Sequence, residues 1–166
     1  MSERSGRDAD QAARYAARLL TARPLSEKEF RTRLAGKGFG PPVVEAVAAR
    51  FKELGYLNDA STARQWARSL AVNRLWGNYR IERTLKEKGL PGEIIDEALA
   101  LARQELTERA AVLELLRKKQ RDRKPGPEDF REKRRLMQSL MGKGFPPGLI
   151  FEILSINAEE QGYDGE

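Results

Sequence analysis

The chain has 166 residues and a formal net charge of +6, with a sequence pI near 9.7, so its natural partner is a polyanion or an acidic protein surface. It contains neither cysteine nor histidine, which excludes disulfides, the usual zinc sites and Ser-His or Cys-His catalysis. No stretch approaches membrane-spanning length, and the polar N-terminus leads into no apolar signal core. We therefore expect a cytoplasmic protein without a membrane partner.

The first unit of the chain is predicted to contain three helices. The apolar pattern places the first helix over residues 8–21. Ser26 then opens the second helix, and Glu29 follows at the spacing of a capping box. Gly38 ends that helix at a position that favours a left-handed backbone. Pro41 begins the third helix, because proline is well tolerated in a first helical turn.

A second unit repeats the first at an offset of 51 residues. Asn58 is the predicted N-cap of the fourth helix, and in that helix Trp66 takes the position of Tyr15. The fifth helix is expected to end at Gly89, and Pro91 lies at the start of the sixth. The first two units are therefore similar along their whole length.

The third unit follows the same plan less closely. Residues 111–116 supply the apolar positions of its first helix, which ends in the basic run 117–124, where six of eight residues are Lys or Arg. The Pro-Gly-Pro sequence at 125–127 breaks this helix, so we expect the mobile linker there, within a basic Pro/Gly joint that covers residues 117–127. Two further helices follow, and the first of them ends at Gly144.

One short phrase recurs in all three units. Each copy begins with leucine and ends with a lysine, a glycine and an apolar residue, and the copies are Leu34–Phe39, Leu85–Leu90 and Leu140–Phe145. Its lysine has two interpretations. It either caps the helix by meeting the negative end of the helix dipole, or belongs to a row of three ammonium groups along one face. These lysines are Lys37, Lys88 and Lys143.

These patterns predict an all-α protein, a tandem array of three three-helix repeats that forms an elongated curved rod. The predicted repeats cover residues 8–56, 57–104 and 105–158, with polar tails at 1–7 and 159–166. Each repeat is too small to bury a large core alone, so neighbouring repeats should pack against each other. A rod offers a long face rather than a deep pocket, which suits a macromolecular partner.

No pattern in the sequence indicates catalysis. The carboxylates are scattered among basic residues at helical spacing, as on a solvated surface. There is no P-loop, no dinucleotide fingerprint and no calcium loop. We therefore expect a protein that is not an enzyme and that needs neither a cofactor nor a metal.

The candidate binding residues are basic and aromatic. The run 117–124, continued by residues 131–135, is the densest basic block, and it is either a solvated helix end or a polyanion contact. In the second unit aromatic residues alternate with arginines, a pattern that can stack on bases. Trp66 is interpreted as core, and Tyr79 as exposed because its counterpart is Lys28. The full set is Lys37, Arg68, Arg74, Tyr79, Arg80, Arg83, Lys88, Arg117, Lys118, Lys119, Arg121, Arg131, Arg134, Arg135 and Lys143.

Several of these motifs together resemble the RecX regulatory family. They are the threefold Lys-Gly-Phe/Leu pattern, the Gly-Tyr-Leu-Asn-Asp segment at 55–59 followed by Ala63, and the run Arg-x-x-Gly-x-x-Arg-Ile-x-x-x-Leu-x-x-Lys-Gly at 74–89. The resemblance covers nearly the whole chain, from about Arg14 to Leu154. Thr62 differs from the family, which usually has an aromatic residue there, so the packing at the entry of the second unit should differ too.

The resemblance implies a modulator of the RecA recombinase that lies along the groove of the RecA–single-stranded DNA filament. Family members usually oppose filament extension and dampen ATP hydrolysis, strand exchange and co-protease activity, in homologous recombination, DNA repair and the SOS response. The repeated lysines and the arginines of the third unit would then meet acidic filament surface or DNA phosphates. We expect a monomer. Two alternatives stay open: a direct DNA-binding protein with helix–turn–helix-like repeats, and an α-solenoid scaffold for another protein.

Overall fold

The structure is a computed structural model that describes residues 2–121 and 130–161. In these two ranges the chain forms helices and no β-strand. Helices α1 to α3 are Ser2–Ala22, Glu27–Gly36 and Pro41–Glu53. Helix α4, Asp59–Arg68, continues into a short π-helix, Ser69–Asn73, and is followed by α5, Asn78–Glu87, and α6, Gly92–Glu105. The last three are α7, Glu108–Arg121, α8, Phe130–Gly142, and α9, Pro147–Gln161.

Most of the predicted helix boundaries in the first unit are confirmed. Ser26 is the N-cap of α2, and its hydroxyl accepts a hydrogen bond of 3.1 Å from the backbone N–H of Glu29. Helix α3 begins at Pro41, and Gly38 follows α2 with φ of +101°. The first helix, however, begins at Ser2 instead of the predicted residue 8. The polar stretch ahead of residue 8 contains no proline to end a helix.

Each set of three helices has its own hydrophobic core. The largest fully buried side chains of repeat 1, α1 to α3 with the residues that follow, are Leu25, Phe30, Leu34 and Leu57. Those of repeat 2, α4 to α6, are Ile81, Leu85 and Ile95. Those of repeat 3, α7 to α9, are Val112, Leu140, Phe145, Ile150 and Ile153. Three separate cores confirm the predicted fold class, an all-α array of three-helix repeats.

The end of α4 has a conformation that the sequence did not predict. The helix widens into the π-helix Ser69–Asn73, and Leu75 follows with φ of +53°. This left-handed value is unfavourable for a residue that carries a Cβ atom. Leu75 is nevertheless only 5% exposed, because its side chain packs in the core of repeat 3. The widened turn therefore places the side chain of Leu75, a residue of repeat 2, in the core of repeat 3.

The predicted basic linker is described only in part. Residues 117–121 belong to the last turns of α7, whereas 122–129, which include the Pro-Gly-Pro sequence, lie outside the described residues. Among the residues that are described, none of the helices is both long and apolar enough to cross a membrane. The same part of the chain contains no group of acidic side chains that could hold a metal ion.

Candidate binding surface

The first joint, between repeats 1 and 2, places the start of α2 on the end of α5. The hydroxyl of Ser26 donates a hydrogen bond of 2.5 Å to the backbone carbonyl of Lys88. The ammonium of Lys88 in turn donates to Glu29 at 3.0 Å and lies 4.5 Å from the centre of the Trp66 ring. Burial alone would raise the pKa of Glu29, but the hydrogen bond and charge of Lys88 outweigh it, so this pKa lies below its ordinary value. Lys88 is thus engaged inside the joint.

Two side chains of α4 close the same joint from the other side. The Asp59 carboxylate accepts a hydrogen bond of 2.8 Å from the backbone N–H of Glu27, the first residue of α2. Burial raises the pKa of Asp59 above its ordinary value. The hydroxyl of Thr62 donates a hydrogen bond to the carbonyl of Leu25 at 3.4 Å. Thr62 is buried and therefore gives this joint a polar contact between α4 and the residue ahead of the N-cap of α2.

The second joint, between repeats 2 and 3, uses the same positions. The backbone N–H of Gly77 donates to the carbonyl of Lys143 at 2.8 Å, and that of Tyr79 donates to the carbonyl of Gly144 at 3.2 Å. Gly77 is the counterpart of Ser26, and Lys143 is the counterpart of Lys88. In both joints, therefore, the lysine carbonyl of the repeated phrase accepts a hydrogen bond from the start of the preceding repeat's second helix.

Arg80 bridges the second joint, and Arg103 holds the start of α5, which takes part in that joint. The Arg80 guanidinium lies 3.8 Å from the centre of the Trp76 ring and donates to the carbonyl of Gly142 at 3.3 Å. Arg103 donates to the side chain of Asn78 at 2.7 Å and to the carbonyl of Trp76 at 2.6 Å. Sequence reasoning missed Arg103. A signal was available, because Arg103 aligns with Lys52 at the repeat offset, and Lys52 pairs with Glu27, the counterpart of Asn78.

Several predicted binding residues are held in exposed ion pairs. Arg68 pairs with Glu105 at 2.6 Å, and Arg83 pairs with Glu87 at 3.7 Å. Glu114 is shared, at 3.5 Å from Arg117 and 3.8 Å from Lys118. Exposed pairs of this kind contribute little to stability and are screened by salt. A polyanion could therefore take over these cations at small cost.

Other predicted residues have no acidic partner within the described part of the chain. Lys37 is exposed, with its ammonium 5.6 Å from the centre of the Tyr15 ring. Tyr79 is 64% exposed, and Arg74 lies 5.8 Å from the centre of the Trp76 ring. Lys143 is half-buried beside the second joint. The exposed cations at the end of α7 and in α8 that have no ion pair with residues 2–121 or 130–161 are Lys119, Arg121, Arg134 and Arg135.

The predicted set is therefore divided among three places. The first joint holds Lys88, whereas the second joint brings Arg80 and Lys143 together beside Tyr79. The remaining candidates lie on helix surfaces or, like Lys37 and Arg74, directly after a helix end. Arg131 is at the start of α8, and the densest group is at the end of α7. The three repeated lysines consequently occupy three different environments: one exposed, one ion-paired and one half-buried.

Three segments of the chain match family models that correspond to this architecture. Residues 12–51 match the first three-helix domain of RecX, residues 58–99 the second and residues 107–154 the third. The chain belongs to the RecX family. Because the three RecX domains succeed one another in order, the match agrees with the repeat array that the structure describes.

Individual RecX proteins are similar over most of their length. A regulatory protein RecX from Mycobacterium sp. strain JLS is 32% identical over 151 residues, which is 89% of this chain and 81% of the relative. A regulatory protein RecX from Thermus thermophilus is 33% identical, over 92% of this chain and 97% of the relative. The crystal structure of RecX from Lactobacillus salivarius matches with a TM-score of 0.75 at 20% identity, over 90% of this chain and 96% of that one. This last likeness supports the fold.

Proposed function

We propose that the chain is a regulatory protein that binds the RecA–single-stranded DNA filament and inhibits its recombinase and ATPase activities. Membership of the RecX family and relatives named regulatory protein RecX support a regulatory role. The observation that carries the filament proposal is the set of exposed cations at the end of α7 and in α8 that form no ion pair with a described residue, which are Lys119, Arg121, Arg134 and Arg135. They fit an acidic protein surface or phosphates.

A linear array of repeats suits a helical polymer as its partner. Repeats joined end to end through main-chain hydrogen bonds, such as that from Gly77 to Lys143, hold binding groups at fixed separations. Such an array can contact successive filament subunits at once, and binding at several sites raises the overall affinity. Inhibition would follow if the bound chain blocks the addition of subunits or the motions that accompany ATP hydrolysis.

The deciding experiment is a titration of RecA with this protein on single-stranded DNA. We expect the ATPase rate to fall as the protein is added, and the protein to sediment with the filament. An unchanged ATPase rate together with no co-sedimentation would overturn the proposal and favour a scaffold for another protein.

A direct DNA-binding protein is the second candidate, and the same exposed cations support it. The two candidates differ in their preference for the filament. Binding to bare single strands should weaken with salt by about 0.7 log units per log unit of salt for each phosphate contacted. We expect tighter binding to the RecA filament than to naked DNA at the same salt concentration. Equal affinities would favour the direct DNA-binding protein.

A further inference from the structure

The turn that follows α2 is open, although its counterparts in repeats 2 and 3 are covered. In the covered turns the carbonyls of Lys88, Lys143 and Gly144 each accept a hydrogen bond from the start of the second helix of the preceding repeat. The corresponding carbonyls of Lys37 and Gly38 accept no hydrogen bond from any residue that the structure describes. Repeat 1 therefore presents the same acceptors without an occupant from the described chain.

The glycines of the three turns show the same difference. Gly38 has φ of +101°, Gly89 of +84° and Gly144 of +91°, so the backbone takes one conformation in all three. A Cβ atom on Gly89 would overlap the Lys28 side chain, and one on Gly144 would overlap the backbone of Arg80, whereas one on Gly38 would meet nothing within 4 Å. The turn of repeat 1 therefore already has the backbone conformation that, in repeats 2 and 3, contacts the start of another helix.

The charge of the open turn indicates what fits there. Repeat 2 has Thr84, Glu87 and Lys88 at the positions where repeat 1 has Arg33, Gly36 and Lys37, and these three residues of repeat 1 are exposed. Repeat 1 therefore carries two cations and lacks the carboxylate of Glu87. Within the chain, the cation at the lysine position of repeat 2 pairs with Glu29 in the first turn of the docked helix, at 3.0 Å.

We propose that this open turn, defined as Arg33, Gly36, Lys37 and Gly38, docks the N-terminus of an α-helix from a partner protein, with a carboxylate in the first turn of that helix. The free N–H groups at the start of the partner helix would donate to the carbonyls of Lys37 and Gly38. The positive end of the partner helix's dipole would then face the negative end of the dipole of α2. The carboxylate would pair with Lys37 or Arg33 as Glu29 pairs with Lys88. The proposal rests on the proposed function only for the identity of the partner, a protein subunit of the regulated filament.

Other occupants fit this turn less well. A phosphate would approach the two bare carbonyls, whose oxygens carry partial negative charge, so nucleic acid is disfavoured at this point. A second copy of the chain would have to offer a free helix start. The start of its α2 is already covered by Lys88. Its α8 has Glu132 in the first turn but carries the exposed cation Arg135 at the position of Glu29, and Lys37 would repel that cation.

The first test uses the chain's own docking helix as a probe. A lactam-stapled, fluorescent peptide of residues 25–36, which keeps the capping box of α2, is titrated with the full chain and followed by fluorescence anisotropy. We expect binding that weakens at least tenfold in Arg33→Glu/Lys37→Glu. The matched control Arg50→Glu/Arg64→Glu changes the same charge at two other exposed positions and should stay within twofold of the unmodified chain. No binding at the highest soluble concentration, or equal losses in both variants, would overturn the proposal.

The second test identifies the natural partner. A photoreactive benzoylphenylalanine replaces Gly36, around which a Cβ atom has free space, and the full chain is irradiated on the RecA–single-stranded DNA filament. We expect crosslinks to an acidic helix start of the protein subunit. Crosslinks to DNA or to a second copy of the chain contradict the docking proposal.

The two proposals can fail separately. Co-sedimentation with the filament without a crosslink at position 36 overturns the docking site and leaves the proposed function standing. Specific binding of the peptide without co-sedimentation supports the docking site and overturns the proposed function.

Discussion

Lys52 and Arg103 hold the same place in successive repeats, and each binds the first residue of the second helix in its own repeat. The Lys52 ammonium lies 2.8 Å from the carboxylate of Glu27, and Arg103 donates to the side chain of Asn78 at 2.7 Å. Lys52 is exposed, whereas Arg103 is half-buried, and burial lowers its pKa. The repeat thus reuses one pairing, which is exposed in repeat 1 and half-buried in repeat 2.

Arg103→Ala should therefore destabilise the protein far more than Lys52→Ala. The change at Arg103 leaves the Asn78 side chain and the backbone carbonyl of Trp76 without their donor, and we expect a loss of about 2–3 kcal/mol in the free energy of unfolding. The exposed pair of Lys52 should contribute much less. Urea unfolding of both variants measures the difference. Equal losses would mean that Arg103 is no more important than a surface ion pair.

The glycines of the three repeated turns offer a graded test of the joints. All three have a positive φ, so Gly→Ala costs about 1–2 kcal/mol at each from backbone strain. At Gly144 the new Cβ atom also overlaps backbone, at Gly89 it overlaps the flexible side chain of Lys28, and at Gly38 it meets nothing. We expect the loss of stability to rise from Gly38 through Gly89 to Gly144. Thermal unfolding checks the order, and similar losses at all three positions would show that the joints are loosely packed.

The elements within each repeat could be predicted from sequence because their signals are local. Ser26 with Glu29, Gly38 and Pro41 each act within one turn of the residue that caps or begins a helix. The alignment at an offset of 51 residues then carried these signals from repeat 1 to repeat 2. This is why the fold class and most helix boundaries follow from the residues.

The joints could not be predicted in the same way because they connect distant residues. The local sequence predicts that Lys88 caps a helix or lies on the surface. Its ammonium instead donates a hydrogen bond to the carboxylate of Glu29, which is 59 positions earlier. The strained Leu75 has no local signal either, since a leucine with positive φ is held there only by its burial in the next repeat. For the candidate site, the sequence indicated which cations to consider, and the structure separates those used in joints from those on the surface.

Leu75 allows the strain and the burial to be measured separately. Leu75→Ala removes most of the buried side chain but keeps a Cβ atom at φ of +53°, so we expect a loss of about 2–4 kcal/mol in unfolding free energy. Leu75→Gly removes slightly more of the side chain but relieves about 1 kcal/mol or more of backbone strain. The glycine variant should therefore be at least as stable as the alanine variant in chemical denaturation. A clearly more stable alanine variant would contradict the strained conformation.

The pair of Glu29 and Lys88 predicts a loss of stability in acid. The pKa of Glu29 in the folded chain lies below its ordinary value of 4.5, so the folded state favours the charged form. The stabilisation is fully present above pH 4.5 and disappears as the pH falls through the lowered pKa. A double-mutant cycle of Glu29→Gln and Lys88→Met, measured by urea unfolding, should show coupling near neutral pH that vanishes in acid. Coupling that persists in acid would show that the ion pair is not its source.

The basic end of α7 provides the mutational test of filament binding. Lys119 and Arg121 have no acidic partner among the described residues, whereas Arg117 and Lys118 both lie near Glu114. A polyanion must displace Glu114 before it can bind Arg117 and Lys118. We therefore expect Lys119→Glu/Arg121→Glu to weaken binding to the RecA filament more than Arg117→Glu/Lys118→Glu does.

Changing all four residues to Glu should weaken binding most, with the helical circular dichroism signal retained. Co-sedimentation of these variants beside Arg50→Glu/Arg64→Glu separates a local effect from that of net charge. Unchanged binding of the fourfold variant would mean that this end of α7 is only a solvated surface, and equal effects of the two double variants would mean that Glu114 does not compete for the partner.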